Sequence, residues 1–463
     1  MTRSAAIAIA EAYFDSGQFV ADLARRVAIP STSQEPDFRP ALYEYLDQEM
    51  RSTLEAMGYT CTLHENPVPA GGPVLIAERH EGDDLPTVLT YGHADTVRGL
   101  DEQWREGLKP WELVQEGDRL YGRGTADNKG QHSINIAAIN AVLQARGSLG
   151  FNSRIFLETS EETGSRGLRE TAETHREALA ADVLIGSDGP RLVPEEPTIF
   201  MGTRGAMNFT LSLSLRDGGH HSGNWGGLLA NPGVILMHAI ATIIDRHGAV
   251  QVPGIMPESM PNSVRMALAN VRVDGGPDAP EIDPNWGQPG LTPEERVFGW
   301  NTFEVLAFKT GNPDKVVNAI PPSATAWCQI RFTVDRDPDT FLPAIRQHLA
   351  DKGFPEIVVE AGEDDFIMRA TRLLPDHPWA QWAKASITET MGRPPMMVPN
   401  LGGSLPNDVF AETIGVPTLW FPHSYSACSQ HAPNEHLLAS IAREGLRIMA
   451  GVFWDVGEPG TPR

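Results

Sequence analysis

Three short runs, each ending in a turn that carries an acid or a histidine, constrain this chain more than any other feature. Residues 86–91 (PTVLTY) lead into Gly92-His93-Ala94-Asp95. Residues 153–158 (SRIFLE) lead into Thr159-Ser160-Glu161-Glu162, and residues 182–186 (DVLIG) into Ser187-Asp188-Gly189. Each run is too short for a helix, largely apolar and bounded by turn residues, which reads as a buried strand. Between the first two, residues 129–146 place Ile136, Ile139, Val142 and Leu143 on one helical face. Strand, helix, strand predicts an α/β fold with a mostly parallel central sheet flanked by helices. In such sheets ligands bind beyond the carboxyl ends of the strands, so the three turns should meet in one crevice. Two more turns belong with them: residues 124–130 (GTADNKG), just ahead of the helix, and residues 429–435 (SQHAPNE), after the strand-like PTLWF of residues 417–421.

What converges is His93, Asp127, Glu162, Asp188 and His431, with Asp95 and Glu161 alongside. Carboxylates gathered this closely repel one another unless a cation holds them. Two imidazoles and three carboxylates suit two divalent metal ions, one carboxylate bridging. The absence of thiolates from the set points to zinc, with manganese or cobalt also compatible. Two such ions can polarise a carbonyl and activate a shared water. The Glu161-Glu162 pair offers one ligand and one general base. Asp95, two residues after His93, is placed to hold the far ring nitrogen of a ligating histidine.

Composition narrows the class. The 463 residues exceed one comfortable core, which predicts two domains. With 37 Lys+Arg against 60 Asp+Glu, the net charge is −23, which argues against nucleic-acid binding and against anionic membranes. The longest apolar stretch, residues 234–244, carries His238 and falls short of the roughly 20 residues a membrane helix needs. The first residues read as one amphipathic helix through Ala24, with Glu11 interrupting any signal-peptide core. Three scattered cysteines exclude a disulfide framework, so a cytoplasmic protein is expected. The texture changes after about residue 204. Residues 209–215 (FTLSLSL) and 324–334 (ATAWCQIRFTV) alternate apolar and polar, as half-buried antiparallel strands do. Residues 251–300 read as a loop-heavy insertion. From about residue 375 the first texture returns, with a helix near 379–390, the strand 417–421 and a closing helix over 437–452. The expected division is a catalytic domain in two parts, residues 1–203 and 371–463, interrupted by an α+β domain over residues 204–370.

The segments GHADT, GRGTADNKG, SEETGS, SDG and HAPNEH, in this order, resemble the dinuclear zinc amidohydrolases of the carnosinase, carboxypeptidase G and aminoacylase family. Residues 220–232 (HHSGNWGGLLANP), 318–331 (NAIPPSATAWCQIR) and 401–406 (LGGSLP) are similar to its carnosinase and cytosolic nonspecific dipeptidase branch. The resemblance implies a zinc-peptidase-like catalytic domain and an inserted lid domain that mediates a homodimer. It implies that His93 and Asp188 hold one metal, Glu162 and His431 the other, with Asp127 bridging and Glu161 as general base. Asp95 would orient His93. In the lid, His221 would stabilise the oxyanion and Asn318 would contact substrate, both serving the partner's site. Arg331, His377, Gly403 and Ser404 would bind the substrate carboxylate or backbone. Asp188, rather than Glu, is what dipeptidase and aminopeptidase members tend to show. Asn318 departs from the branch, which tends to have Thr there; Asn is common in acyl-amino-acid and succinyl-diaminopimelate hydrolases.

Taken singly, each motif has a plainer reading. His93 is a strand-end histidine, Glu161-Glu162 a solvated turn, Asp127-Asn128 a helix N-cap and Asp188-Gly189 an ordinary turn. Arg331 is an edge-strand arginine, and His220 competes with His221 as the oxyanion donor. Cys428 lies near His423 and His431, but no second motif supports a thiol nucleophile and a packed thiol is the simpler reading. Five motifs in register outweigh these alternatives. The expectation is a metal-dependent hydrolase of dipeptides or N-acyl amino acids, acting on small substrates. The alternatives are a deacylase of the acetylornithine or succinyl-diaminopimelate type, and an inactive binding relative, against which Glu161 speaks.

Overall fold

The computed structural model describes residues 2–273, 280–362 and 367–463. Its centre is an eight-stranded sheet in the order Thr60–His64, Val74–Arg79, Asn152–Glu158, Thr87–His93, Val183–Gly186, Thr418–Trp420, Thr198–Phe200, Met396–Val398. The four middle strands, from Asn152–Glu158 to Thr418–Trp420, are mutually parallel. Antiparallel pairs flank them, and Met396–Val398 runs parallel to Thr198–Phe200 at the far edge. The four parallel strands are the ones the sequence marks with acid- or histidine-bearing turns. A parallel ladder brings their carboxyl ends to one side.

Helix Lys129–Arg146 packs between the sheet and the helices Arg3–Asp15 and Ala439–Val456. Ile134, Ile139 and Val142 are fully buried, and so is Asn135 on the same helix. The N-terminal segment departs from expectation. It forms two helices, Arg3–Asp15 and Gln18–Val27, broken where Gly17 takes φ 80°. That left-handed conformation is open to glycine and terminates the first helix, although the apolar periodicity runs across the break.

The second sheet is antiparallel throughout, in the order Thr302–Thr310, Ser323–Phe332, Gly205–Ser214, Val358–Ala361. Its strands alternate as the sequence predicts. Phe209, Leu211, Cys328 and Ile330 face the helices Pro232–Ile243 and Phe341–Asp351, while Asn208, Trp327, Gln329 and Arg331 face away. Of the stretch 251–300, expected to be loop-heavy, residues 274–279 lie outside the described residues, and the described remainder includes helices Asn262–Leu268 and Pro293–Phe298. The apolar side chains of this stretch divide between two cores. Ile255 and Met256 join the second sheet's core, whereas Met260, Val264, Leu268 and Phe298 bury with Val398, Leu401 and Phe410 beside the central sheet.

The chain passes between the sheets as a paired ribbon, Gly202–Thr203 against Thr371–Arg372. A Cβ at position 202 would stand 2.1 Å from the Thr371 carbonyl oxygen, so only glycine lets the two backbones approach there. No helix among the described residues is long and apolar enough to cross a membrane.

Candidate metal centre

Every expected ligand reaches the carboxyl end of the parallel strands. His93 closes strand Thr87–His93, and Asp188 follows Val183–Gly186 by two residues. Glu161 and Glu162 open a short 3-10 turn after Asn152–Glu158, and Asp127 stands just ahead of helix Lys129–Arg146. The Asp127–Asn128 peptide is cis. His431 lies in the long turn beyond Thr418–Trp420, with φ 62°.

The side chains form two groups that share Asp127. His93, Asp127 and Asp188 make one, Asp127, Glu162 and His431 the other, with the donor atoms of each within 4.8 Å of one another. His93 Nε2 is 2.8 Å from Asp127 Oδ1 and 3.6 Å from Asp188 Oδ2. His431 Nε2 is 2.9 Å from Asp127 Oδ2 and 3.1 Å from Glu162 Oε2. Ligand atoms on one tetrahedral zinc lie about 3.4 Å apart, given bond lengths of about 2.1 Å. The spacing therefore already suits one ion per group, with one Asp127 oxygen turned to each.

Two atoms test the fit. Asp188 Oδ2 and Glu162 Oε1 are buried and have no hydrogen-bond partner among the described residues, one in each group. A buried carboxylate oxygen left without a partner is costly, and a cation is the partner this donor set suits. The electrostatics agree. Burial and the charge of Asp127 push Glu162 up to about 7 and Asp188 up to about 6. Burial, together with Glu162, Asp188 and Asp127, carries Glu161 well above the carboxylate range. Asp127 goes the other way: against burial, His93 and His431 hold it well below the usual value. Hydrogen bonds to Asp127 and Glu162 raise His431 to about 11. Both imidazoles thus face the shared Asp127 carboxylate. A divalent ion in each group would supply positive charge to these carboxylates and be ligated by neutral rings, as ligation requires.

Asp95 acts through two parts of the residue. Its main-chain oxygen accepts from His93 Nδ1 at 3.0 Å, with the carboxylate Oδ1 at 3.4 Å from the same nitrogen. The carboxylate itself accepts the Glu161 and Glu162 amides at 3.2 and 3.1 Å. It therefore braces the turn that carries the expected base and ligand, besides facing the histidine.

The expected substrate residues divide. Arg331 donates to Ser404 Oγ at 2.8 Å and to Gln329 Oε1 at 3.0 Å, and Ser404 donates to the Arg204 carbonyl at 2.7 Å. A Cβ on exposed Gly403 would meet nothing within 4 Å. His377 caps helix Pro378–Met391 by accepting the Trp379 amide at Nδ1, and its hydrogen bonds stay within that cap. His221 and Asn318 lie together on a small ribbon of the second sheet's side, where His221 pairs with Ala319 and the Asn318 carbonyl accepts the Ser222 amide at 2.9 Å. Both are exposed, and none of their hydrogen bonds reaches the metal ligands. His220 packs edge-on against Trp225.

Three contacts were not foreseen from the sequence. Gln430 donates to Asp127 Oδ2 at 2.6 Å. Tyr91 and Ser165 both donate to buried Glu158. Glu435 grips the turn before Asp127 through main-chain amides. A side chain that binds backbone leaves no pairing signature in sequence.

The model of Peptidase family M20/M25/M40 matches residues 89–455. The chain belongs to this family. It is a metallopeptidase by kind. Over 479 aligned residues it is 26% identical to the Beta-Ala-His dipeptidase of Homo sapiens, covering 95% of this chain and 90% of that protein. It is 28% identical over 291 residues, 60% of each chain, to the Cysteinylglycine-S-conjugate dipeptidase of Corynebacterium striatum. Among solved structures, the dipeptidase Dug1p of Saccharomyces cerevisiae superposes with a TM-score of 0.77 at 20% identity, over 99% of this chain and 100% of that one. Human carnosine dipeptidase 1 gives 0.74 at 23%, over 97% and 99%. At those identities the structural likeness speaks for the fold.

Because Asp127 is common to both groups, Asp127→Ala should abolish binding of both ions. Metal content of the purified variant, read against a parent carrying close to two divalent ions per chain, checks this. A variant that kept the full load would overturn the shared-ligand geometry.

Proposed function

We propose that the chain hydrolyses the amide bond of dipeptides, with two divalent ions held around the shared Asp127 carboxylate. The observation that carries this reading is the pair of ligand groups with Asp127 in common, each leaving one buried carboxylate oxygen without a partner. His93 and Asp188 would hold one ion, Glu162 and His431 the other. Mixed nitrogen and oxygen ligation suits zinc, and manganese or cobalt also satisfy it. Ions in these sites supply polarisation of the substrate carbonyl and a lowered pKa for the attacking water.

The rest falls to side chains. Glu161 would take a proton from the water and return it to the leaving amine nitrogen. Its carboxylate makes no hydrogen bond among the described residues, and burial beside Glu162, Asp188 and Asp127 raises its proton affinity, as a base at neutral pH needs. Asp95, accepting from His93 Nδ1, would keep Nε2 free for the metal.

Arg331 would anchor the substrate's C-terminal carboxylate, with Ser404, Gly403 and the free face of His377 completing that end. Support comes from the half-buried guanidinium, whose hydrogen bonds go only to neutral oxygens, and from the open space over Gly403. The deacylase alternative rests on Asn318 alone, and the curated relatives reported above are dipeptidases, so dipeptide hydrolysis is the reading taken. The three cysteines are buried and free, as a reducing cytoplasm allows.

Residues 204–370 would act as a lid that also joins a second copy of the chain, so that His221 and Asn318 complete the partner's site. Leu228, Val316 and Val317 support this: they flank the two residues and are 76%, 82% and 64% exposed, an apolar surface that association would cover.

Three tests follow from these roles. Glu161→Gln should retain both metals and lose about 10²–10⁴-fold in kcat. Glu162→Gln should instead weaken metal affinity; the opposite pattern would mean the two roles are exchanged. Amidating the C-terminus of a dipeptide substrate should raise KM for the parent about as much as Arg331→Ala does with the free acid. Equal hydrolysis of acid and amide by the parent would leave Arg331 a purely structural residue. Finally, co-expressed Glu161→Gln and His221→Ala chains should recover about a quarter of parental activity, since half the dimers are mixed and one site in each is intact. Confirmed mixed dimers without activity above either single variant would remove His221 from the partner's site.

A further inference from the structure

We propose that Glu435, which lies outside both ligand groups, is the positioning residue that sets the geometry of both. The inference rests on the two-metal reading above but concerns a residue that reading does not use. Glu435 Oε1 accepts the main-chain amides of Gly124, Ala126 and Asp127 at 3.0, 3.0 and 3.1 Å. Its Oε2 accepts from Arg123 at 2.7 Å, and its own carbonyl accepts the Gly122 amide at 3.0 Å. One residue therefore ties down residues 122–127, the segment that ends in the shared ligand.

Glu435 also belongs to the turn that carries His431. That turn holds Ser429, His431 and Asn434 at φ 58°, 62° and 63°, the left-handed region that non-glycine residues seldom adopt. Such backbone persists only where its surroundings fix it. The contacts that fix it include the Glu435 bonds on one side, the Arg105 amide on Asn434 Oδ1 on the other, at 2.8 Å, and the turn's own Ala432–Ser429 and His436–Cys428 main-chain bonds. The Asp127 turn and the His431 turn are joined by the strand pair His436–Leu438 with Arg119–Tyr121 and by Gln430 on Asp127, and Glu435 is the carboxylate that holds the main chain of one against the other. Release it, and both oxygens of Asp127 lose their aim together, with His431 loosened as well.

The Arg123–Glu435 pair is an unfavourable way to gain stability. Its side chains are 0% and 1% exposed, and Arg123 Nε and its second terminal nitrogen have no hydrogen-bond partner. Trp104 offers the guanidinium its ring face at 5.6 Å. Buried pairs of this kind often contribute little net stability over neutral residues of the same shape. What the charge adds is strength to the three amide bonds, since charged acceptors bind about twice as firmly as neutral ones. The benefit is carried by the aim of Asp127.

A second carboxylate serves as a control for a merely structural role. Glu81 accepts the Leu149 and Gly150 amides at 2.7 and 2.9 Å and pairs with Arg79 at 3.0 Å, in a loop that holds none of the ligands. Zinc affinities of metal-stripped parent, Glu435→Gln, Glu435→Asp and Glu81→Gln should be measured by competition with a chromogenic chelator, beside the thermal midpoint of each stripped protein. We expect Glu435→Gln to weaken both zinc sites 10- to 100-fold, the range found for partners of metal ligands, with far-ultraviolet circular dichroism unchanged. Glu435→Asp should recover part of the loss. Glu81→Gln should lower the thermal midpoint and leave both affinities at the parental value. The double variant Arg123→Met with Glu435→Gln removes the stranded cation, so it should fold even if Glu435→Gln does not, and it should still bind zinc weakly. Parental affinity in Glu435→Gln or the double variant, weakening of one site only, or an equal loss in Glu81→Gln would each overturn the proposal. A parent that binds no divalent ion would overturn the two-metal reading itself, and that outcome is distinct from the others.

Discussion

Four carboxylates and two imidazoles share the crevice beyond the parallel strands, and the mutual repulsion of those acids is the constraint that organises the rest. Burial and mutual repulsion raise Glu161, Glu162 and Asp188, whereas His93 and His431 hold Asp127 down against its burial. Folding could relieve the conflict by protonating them, by opening the crevice to water, or by admitting cations. The geometry favours the last. Two imidazoles lie against Asp127, and among the described residues one carboxylate oxygen in each group has no hydrogen-bond partner. Binding of ions should therefore stabilise the fold by mass action, since a cation relieves the native state of a cost that the unfolded chain does not bear.

The scaffold bears that cost because of where it places it. Four of the five expected ligands follow the central parallel strands, where Leu89, Ile155, Leu184 and Leu419 are wholly buried, and the fifth, Asp127, stands at the head of the helix packed on them. Strands packed on both faces cannot shift register without exposing their apolar side chains. The ligand-bearing ends are thus held by the least deformable part of the molecule, and the remaining freedom lies in the turns. There the backbone amides are captured individually: Asp95 takes those of Glu161 and Glu162, Glu435 those of Gly124, Ala126 and Asp127. Carboxylates that hold amides position the carboxylates that hold metal.

Most of this crevice could be read from the sequence because strand ends and ligand chemistry coincide. An apolar run followed by His, Glu or Asp states both the element and what it presents. The helix over residues 129–146 was legible for the same reason, its periodicity being unbroken. Three features were not. The break at Gly17 is invisible to hydrophobic periodicity, which continues through the turn. Glu435 looks like any turn glutamate, because the amides it binds carry no sequence of their own. Residues 251–300 hold apolar side chains bound for two cores, and nothing local distinguishes Met256, which goes to one, from Met260, which goes to the other. Tertiary destination is a property of the packed molecule, whereas strand chemistry is a property of the segment.

That divided segment bears on how substrate is received. The proposed carboxylate anchor draws on separate parts of the chain: Arg331 comes from the second sheet, Ser404 from the turn after Met396–Val398, and the Arg204 carbonyl from beside the ribbon between the sheets. Ser404 joins the three, accepting from Arg331 while donating to Arg204. Arg204 in turn donates to the Gly402 carbonyl at 3.0 Å, so the ribbon and the turn hold each other. Helices Asn262–Leu268 and Pro293–Phe298 add a further tie, because they leave the second sheet, bury Val264, Leu268 and Phe298 beside the central one, and return through Asn301, which donates to the Ile255 carbonyl at 2.6 Å. A lid attached at a single ribbon could swing as a free flap. The second sheet is attached at both a ribbon and a buried pair of helices, so any rotation would have to disturb both ties. His221 and Asn318 lie on a separate small ribbon whose hydrogen bonds involve neither tie. The contacts that fix Arg331 and Ser404 are therefore independent of those that place His221 and Asn318.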